Sequence, residues 1–478
     1  MKKLVSNYLF VLSNQLLTMI VPLITMPYIT RVLLVEGVGR HGTVVSVVGI
    51  FVLFAMMSIP LYGTREIAVA RAKGRDCSGI FFSIYAVQLA TSTFVFLAYL
   101  AFVFLVVEVD RTLYLISILT VGASILDISW YFFGVEKAKK IAIRNMIVRV
   151  ISVICIFTFV NSIDDLPIYV LILSLAVLIG QIVMWGPLLR EIKIRCPKWL
   201  EVRTHLRPIL ILFLPSLAIL TYGHLNVIFL DIISGSTQVG FYRPAFQIIF
   251  LILGIMTSVS TVMMPRMANE FSGGHIKEMK VYLRYVLQFV LFISMPLTLG
   301  MIAIAENMVL WYLGNAFEPV AVLLYIMAAK IVLVGLTNVF GLQVLVAVGE
   351  QNKYTIAVTV GALVGIGINL LLAFRWGAIA TALALLSAEI AAVMLLMIFA
   401  REFYQVRTFL RDTVKYTVVA GVMYGVILLT SVLVNLTGIL LTIFQVLLGG
   451  IVYLGILLLI KDSFIWKVLR MLRRGALP

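Results

Sequence analysis

Four ionisable residues, Asp127, Asp231, Lys330 and Glu389, lie inside long apolar stretches of the sequence, and Arg31, Arg149 and Arg243 stand near the ends of others. A charge in hydrocarbon is costly, so each is a candidate for work at membrane depth: holding an anion, binding a small cation or accepting a proton. Lys330 follows Pro319 by 11 residues and Glu389 follows Gly377 by 12, which on helices places both about 16–18 Å from a span end, near the midplane. Two readings stand for them. They neutralise one another as a salt bridge, or Lys330 holds an anionic ligand and Glu389 takes up a coupling proton. Arg31, next to Thr30, either snorkels to the headgroups or faces a cavity. Arg149 lies 8 residues into its helix, about 12 Å deep, which favours a cavity. Arg243, beside Phe241 and Tyr242, reads first as an interfacial anchor and second as a cavity cation. Asp127 orders a neighbouring helix or pairs with an inner arginine, and Trp130, Tyr131 and Phe133 form an aromatic belt or a stacking floor. Asn14, Gln15, His224 and Asn226 line a cavity or bond between helices.

No enzymatic constellation accompanies these charges. Cys77, Cys155 and Cys196 lack metal-ligand spacing, and an odd number argues against a disulfide framework. The four histidines are scattered. Asp164-Asp165 reads as a solvated turn, Asn435-Leu436-Thr437 as an incidental sequon, and Gly361, Gly365 and Gly367 as packing positions.

The elements that must position these residues are membrane helices. With 63% hydrophobic and 12% charged residues, the chain is far from the composition of a soluble globule. Apolar runs predict fourteen spans, at 7–30, 42–62, 80–106, 112–133, 141–160, 167–188, 208–231, 244–264, 284–304, 319–342, 354–374, 377–399, 415–434 and 438–460. Pro22 and Pro27 predict a kinked first helix, retained rather than cleaved as a signal peptide. With the N-terminus inside, 31 of the 37 Lys and Arg fall on the cytoplasmic side, so both termini are expected in the cytoplasm. The formal charge of +16 then reports orientation and attraction to membrane lipids, not nucleic acid.

The first twelve spans repeat. Val38-Gly39 and Val239-Gly240 precede spans 2 and 8, and Gly39 and Gly240 are 201 residues apart, as are Arg65 and Arg266. Glu136/Glu350 and Lys139/Lys353 share an offset of 214. Each repeat has six spans and begins inside, so the two run parallel around an axis along the membrane normal. The expected fold is an all-α integral membrane protein of about 14 helices. Its segments are an N-terminal lobe (1–200), a C-terminal lobe (201–403) and two added helices with a basic tail (404–478).

The run Asp127-Ile128-Ser129-Trp130-Tyr131-Phe132-Phe133-Gly134-Val135-Glu136-Lys137 resembles the fourth-helix signature of bacterial polysaccharide transporters. These are the O-antigen and capsule repeat-unit flippases of the multidrug/oligosaccharidyl-lipid/polysaccharide exporter superfamily. Ser13-Asn14-Gln15, Pro22 to Tyr28, Gly37-Val38-Gly39 and Tyr62-Gly63-Thr64-Arg65-Glu66 are similar to that family's first two helices. The resemblance implies alternating-access transfer of an undecaprenyl-pyrophosphate-linked oligosaccharide from the inner to the outer leaflet of the bacterial cytoplasmic membrane. It also implies work alongside a polysaccharide polymerase and chain-length machinery. Lys330, Arg31, Arg149 and Arg243 would meet the pyrophosphate, arginine through its forked donors and lysine through its compact charge. Trp130 and its neighbours could stack on sugar. No cofactor is expected beyond coupling to a sodium or proton gradient. Sodium-coupled relatives carry a site among helices 7, 11 and 12, where Asp231, Asn369 and Thr381 fall here. A drug/cation antiporter and a peptidoglycan-precursor flippase of the same superfamily are the alternatives. A membrane glycosyltransferase or polymerase is disfavoured, since the longest outer segment is about 14 residues, 305–318.

Overall fold

The computed structural model describes the backbone of residues 2–273, 275–462 and 464–466, with the side chains of 2–19, 214–222, 255–266, 268–270, 272 and 276 outside the described residues. Every regular element among the described residues is helical. In chain order they are α1 (Lys2–Met56), α2 (Ile59–Ala72), α3 (Cys77–Leu105), α4 (Arg111–Ala123), α5 (Ser129–Gly134), α6 (Ala138–Phe159), α7 (Leu166–Leu189) and α8 (Trp199–Ser234). There follow α9 (Ser236–Ser272), α10 (Ile276–Tyr312), α11 (Val320–Ala328), α12 (Lys330–Thr337), a π-helical segment (Asn338–Val346), α13 (Gln351–Phe399), α14 (Val406–Leu433) and α15 (Gly438–Leu459). Nine helical runs among the described residues are long and apolar enough to cross a membrane, and the chain is a multi-pass membrane protein.

The spans expected from hydropathy are merged in two places and broken in three. α1 runs through both of the first two expected spans as 55 residues. That is about 80 Å of helix, more than two hydrocarbon thicknesses, so it must divide. It divides at Leu34, whose φ of 56° is left-handed, beyond Pro22 and Pro27, which both lie inside the helix. α13 likewise joins two expected spans and divides at Gly377, with φ 49°. The second span is broken at Met57 and Ser58, both at positive φ, and continues as α2. The fourth expected span, 112–133, is interrupted between α4 and α5, and the tenth splits into α11, α12 and the π segment.

The chain forms two compact units, Met1–Gly240 and Phe241–Pro478. In the first, one cluster gathers Tyr62, Ile67, Phe81, Trp130, Phe132 and Leu188, and another Leu33, Val48, Tyr99, Leu113, Tyr114 and Val170. In the second, one cluster joins Leu283, Val290, Phe340, Leu396, Tyr416, Met423 and Tyr453.

A broken helix in hydrocarbon must have its carbonyls satisfied by protein, and α3 does this for two breaks at once. Gln88 donates through Nε2 to the Ser124 and Asp127 carbonyls, both at 2.8 Å. Thr91 and Ser92 donate to the Ala55 carbonyl at the end of α1, both at 3.0 Å.

Candidate functional site

The membrane-depth charges of the second unit converge. Lys330 opens α12, and Glu389 projects from the arm of α13 beyond Gly377. Lys330 Nζ lies 3.4 Å from Glu389 Oε2, with the two side chains 13% and 16% exposed. Thr337, two turns along α12 on the same face, donates to Glu389 Oε1 at 2.8 Å. The carboxylate is therefore held by both oxygens. Just beyond Thr337 the chain winds into the π segment, a wide turn often found at working sites. Asn338 at its start is buried, and its amide nitrogen has no acceptor among the described residues. Gly341 lets the Tyr354 ring sit against the backbone, for a Cβ there would come within 2.6 Å of that ring. Tyr354 is near enough to sense the Glu389 charge. Of the two readings offered for Lys330 and Glu389, their ion pair is the arrangement present in the structure.

In the first unit the residues that carried the family resemblance pack on one another. Trp130 is 1% exposed, so it offers no face to a cavity or to the interface, a correction to both readings of it. Gly63 makes this burial feasible, since a Cβ there would strike the indole, and Phe81 stacks on the ring at 5.1 Å. The indole N–H donates to Gln88 Oε1 at 2.9 Å, and Thr64 donates to the Trp130 carbonyl at 3.2 Å. Asp127 accepts the Ser129 amide at 2.9 Å, so it orders the start of α5. Arg71 bonds the Val135 carbonyl and pairs with Glu136 at 3.2 Å. Tyr62 and His205 meet at 2.7 Å. The two motifs thus build one knuckle, α2 against α5.

Outside the spans, Lys137 and Lys140 both bridge to Glu191, at 2.7 and 2.5 Å. Burial opposes ionisation of Glu191, but hydrogen bonds from the two lysines outweigh it and hold the carboxyl below its ordinary value. Asp76 is also held low, by the Ser78 amide that it caps.

The remaining sequence candidates are placed as follows. Arg31 is exposed and donates to the Pro27 carbonyl at 2.6 Å. Arg149 on α6 and Arg243 on α9 are half-buried. His224 lies over Gly49, whose added Cβ would strike the imidazole, and Asn226 is buried. Asn14 and Gln15 lie outside the described residues, as to their side chains. Thr381 donates to Asn369 at 2.9 Å, both buried in the second unit, while Asp231 lies beside Thr43 in the first. Gly39 and Gly240, the glycines aligned by the repeat, meet in the first unit. A Cβ on Gly39 would strike the Ser236 carbonyl, and one on Gly240 the Val35 carbonyl.

Sequence reasoning passed over three side chains. Gln88 had a signal, an amide in mid-span, as did Thr337, a hydroxyl at i+7 from Lys330. The third is Arg144, which donates to the Gly180 carbonyl at 3.3 Å and Gln181 Oε1 at 3.0 Å on α7.

Residues 4–271, more than half the chain, match the polysaccharide biosynthesis protein family. The chain belongs to that family. It is 25% identical over 403 residues, 82% of this chain and 94% of the other, to a protein of Escherichia coli (strain K12) named as an O-antigen transporter. Its fold is similar to the inward closed conformation of the lipid II flippase MurJ, with TM-score 0.65 and 16% identity over 97% of this chain and 99% of that one. An inward-facing multidrug resistance MATE family transporter of the MOP superfamily gives TM-score 0.60 and 13% identity over 80% and 97%. These two likenesses establish the fold.

Proposed function

We propose that the protein flips an undecaprenyl-pyrophosphate-linked oligosaccharide repeat unit across the bacterial cytoplasmic membrane by alternating access, for O-antigen or capsule-type glycan synthesis. Family membership carries this reading, together with the likeness to an O-antigen transporter along most of both chains. This reading puts both termini in the cytoplasm, an orientation supported by the 31 of 37 basic residues that then fall on the inner side. The headgroup is polar and anionic and cannot cross hydrocarbon alone. Lys330 is the cation that meets the pyrophosphate at mid-depth, with Arg31, Arg149 and Arg243 along the route, while the polyprenyl tail stays in lipid. The protein performs no covalent chemistry, and it hands the unit to polymerase and chain-length machinery outside.

Flipping of the peptidoglycan lipid precursor is a second reading, favoured by the match to MurJ over nearly the whole of both chains. Deletion separates the two. The first reading expects lipid-linked repeat units to accumulate facing the cytoplasm, with the glycan lost from the surface and cell-wall synthesis intact. Normal surface glycan in a deletion strain with no substitute carrier would refute it.

A further inference from the structure

We propose that Glu389 is an internal counter-anion, which occupies the cationic site at Lys330 when substrate is absent and gives way to a substrate phosphate while taking up one proton. This deepens the flippase reading and rests on it.

The geometry favours exchange over a permanent bridge. At 3.4 Å the Lys330–Glu389 contact is longer than the 2.7–2.9 Å of a tight charge-assisted hydrogen bond. Neither side chain is sealed, so the ammonium is reachable by another anion. An ammonium is a point charge with three donors, and it accepts phosphate oxygen as readily as carboxylate oxygen. Glu389 does not depend on Lys330 for its place, because Thr337 holds its other oxygen. A hydroxyl can donate to a carboxylate and can equally accept from a carboxylic acid, so that anchor survives protonation.

Once phosphate takes the lysine, Glu389 is left unpaired in a poorly solvated site. Among the described residues, the charged or titratable side chains recorded against it are Lys330 of α12 and Tyr354 of the other arm of α13. Tyr354 adds no positive charge, so neutralisation falls to a proton from solvent. The charges balance: the lysine exchanges one anion for another, and the displaced anion becomes a neutral acid. On release, Glu389 returns to Lys330 and gives the proton up. Substrate binding and proton uptake at this site are then reciprocally linked.

The test is binding of farnesyl pyrophosphate to the full-length protein in nanodiscs, from about pH 6 to pH 8. The ligand's own ionisation is common to all variants, so the readout is the difference in slope. Wild type should gain up to about tenfold in relative affinity per unit fall in pH against Glu389→Gln, the limit for one linked proton. Glu389→Gln should bind more tightly than wild type above neutrality, and Lys330→Gln weakly throughout. Should Glu389→Gln not fold, wild type alone decides: ligand added in weak buffer should draw about one proton beyond the ligand's own. Equal slopes, weaker binding by Glu389→Gln, or no proton uptake would overturn the inference. Those results can occur in a protein that still exports glycan, whereas normal surface glycan after deletion overturns the flippase reading itself.

Discussion

Gln88 of α3 accepts the indole N–H of Trp130 at 2.9 Å, and with its amide nitrogen it bonds the carbonyls of Ser124 and Asp127. One uncharged side chain thus closes the break between α4 and α5 and fixes the aromatic run that follows. Gln88→Leu leaves the Asp127 carbonyl and the Trp130 indole N–H buried without these partners, and the Ser124 carbonyl with only the long 3.5 Å bond from the Asp127 amide, at roughly 1–3 kcal/mol for each group left unsatisfied. It should lower thermal stability in detergent well beyond Trp130→Phe, which removes one of the three bonds. Equal losses in the two variants would show that Gln88 does not hold the break.

Gly39 and Gly240 meet backbone to backbone, and neither has space for a Cβ. Gly39→Val or Gly240→Val should reduce surface glycan at least about tenfold, since neither carbonyl opposite can move without displacing a helix. Gly186→Ala is the control, because a Cβ there meets nothing within 4 Å. Immunoblots of membrane fractions at normal levels would separate a transport defect from failed insertion.

The Lys330–Glu389 pair makes a distinct stability prediction. Removing one partner of a poorly solvated ion pair strands the other, at a cost of about 3–5 kcal/mol. Lys330→Met and Glu389→Leu should each destabilise, and the double variant should recover most of the loss. Transport should fail in the double variant as well as in Lys330→Met. A double variant as unstable as the sum of the singles would show that the two residues do not act as a pair.

The Glu191 carboxyl is held below its ordinary value, so its contribution is fully present above the unfolded carboxylate pKa and is lost as pH falls through the folded value. Wild type should therefore be more stable than Glu191→Gln at neutral pH, by about 1 kcal/mol given the half-exposed lysines. The gap should close in acid, as read by thermal unfolding at about pH 7.5 and pH 3.5. A gap of constant size would mean that the charge on Glu191 is not the cause.

Hydropathy could show where helices run because burial in lipid demands apolar length. It could not show Leu34 as the break in α1, since a left-handed leucine carries no compositional mark. The interruption at 124–128 was hidden for a related reason: its carbonyls are satisfied by Gln88, a residue about 40 positions away. Lys330 and Glu389 were legible as a pair because helical rise alone brings them to one depth. Trp130 misled, because an aromatic near a span end resembles a belt residue until Gly63 is known to lie beneath it.

The most direct measurement is transbilayer movement in vesicles containing only the purified protein and a fluorescent undecaprenyl-pyrophosphate-linked oligosaccharide, followed with a quencher confined to one side. Movement above that of protein-free vesicles, abolished in Lys330→Gln, is the expected result. Movement no faster than in protein-free vesicles, or equally fast in Lys330→Gln, would contradict a flippase working through a cation at membrane depth.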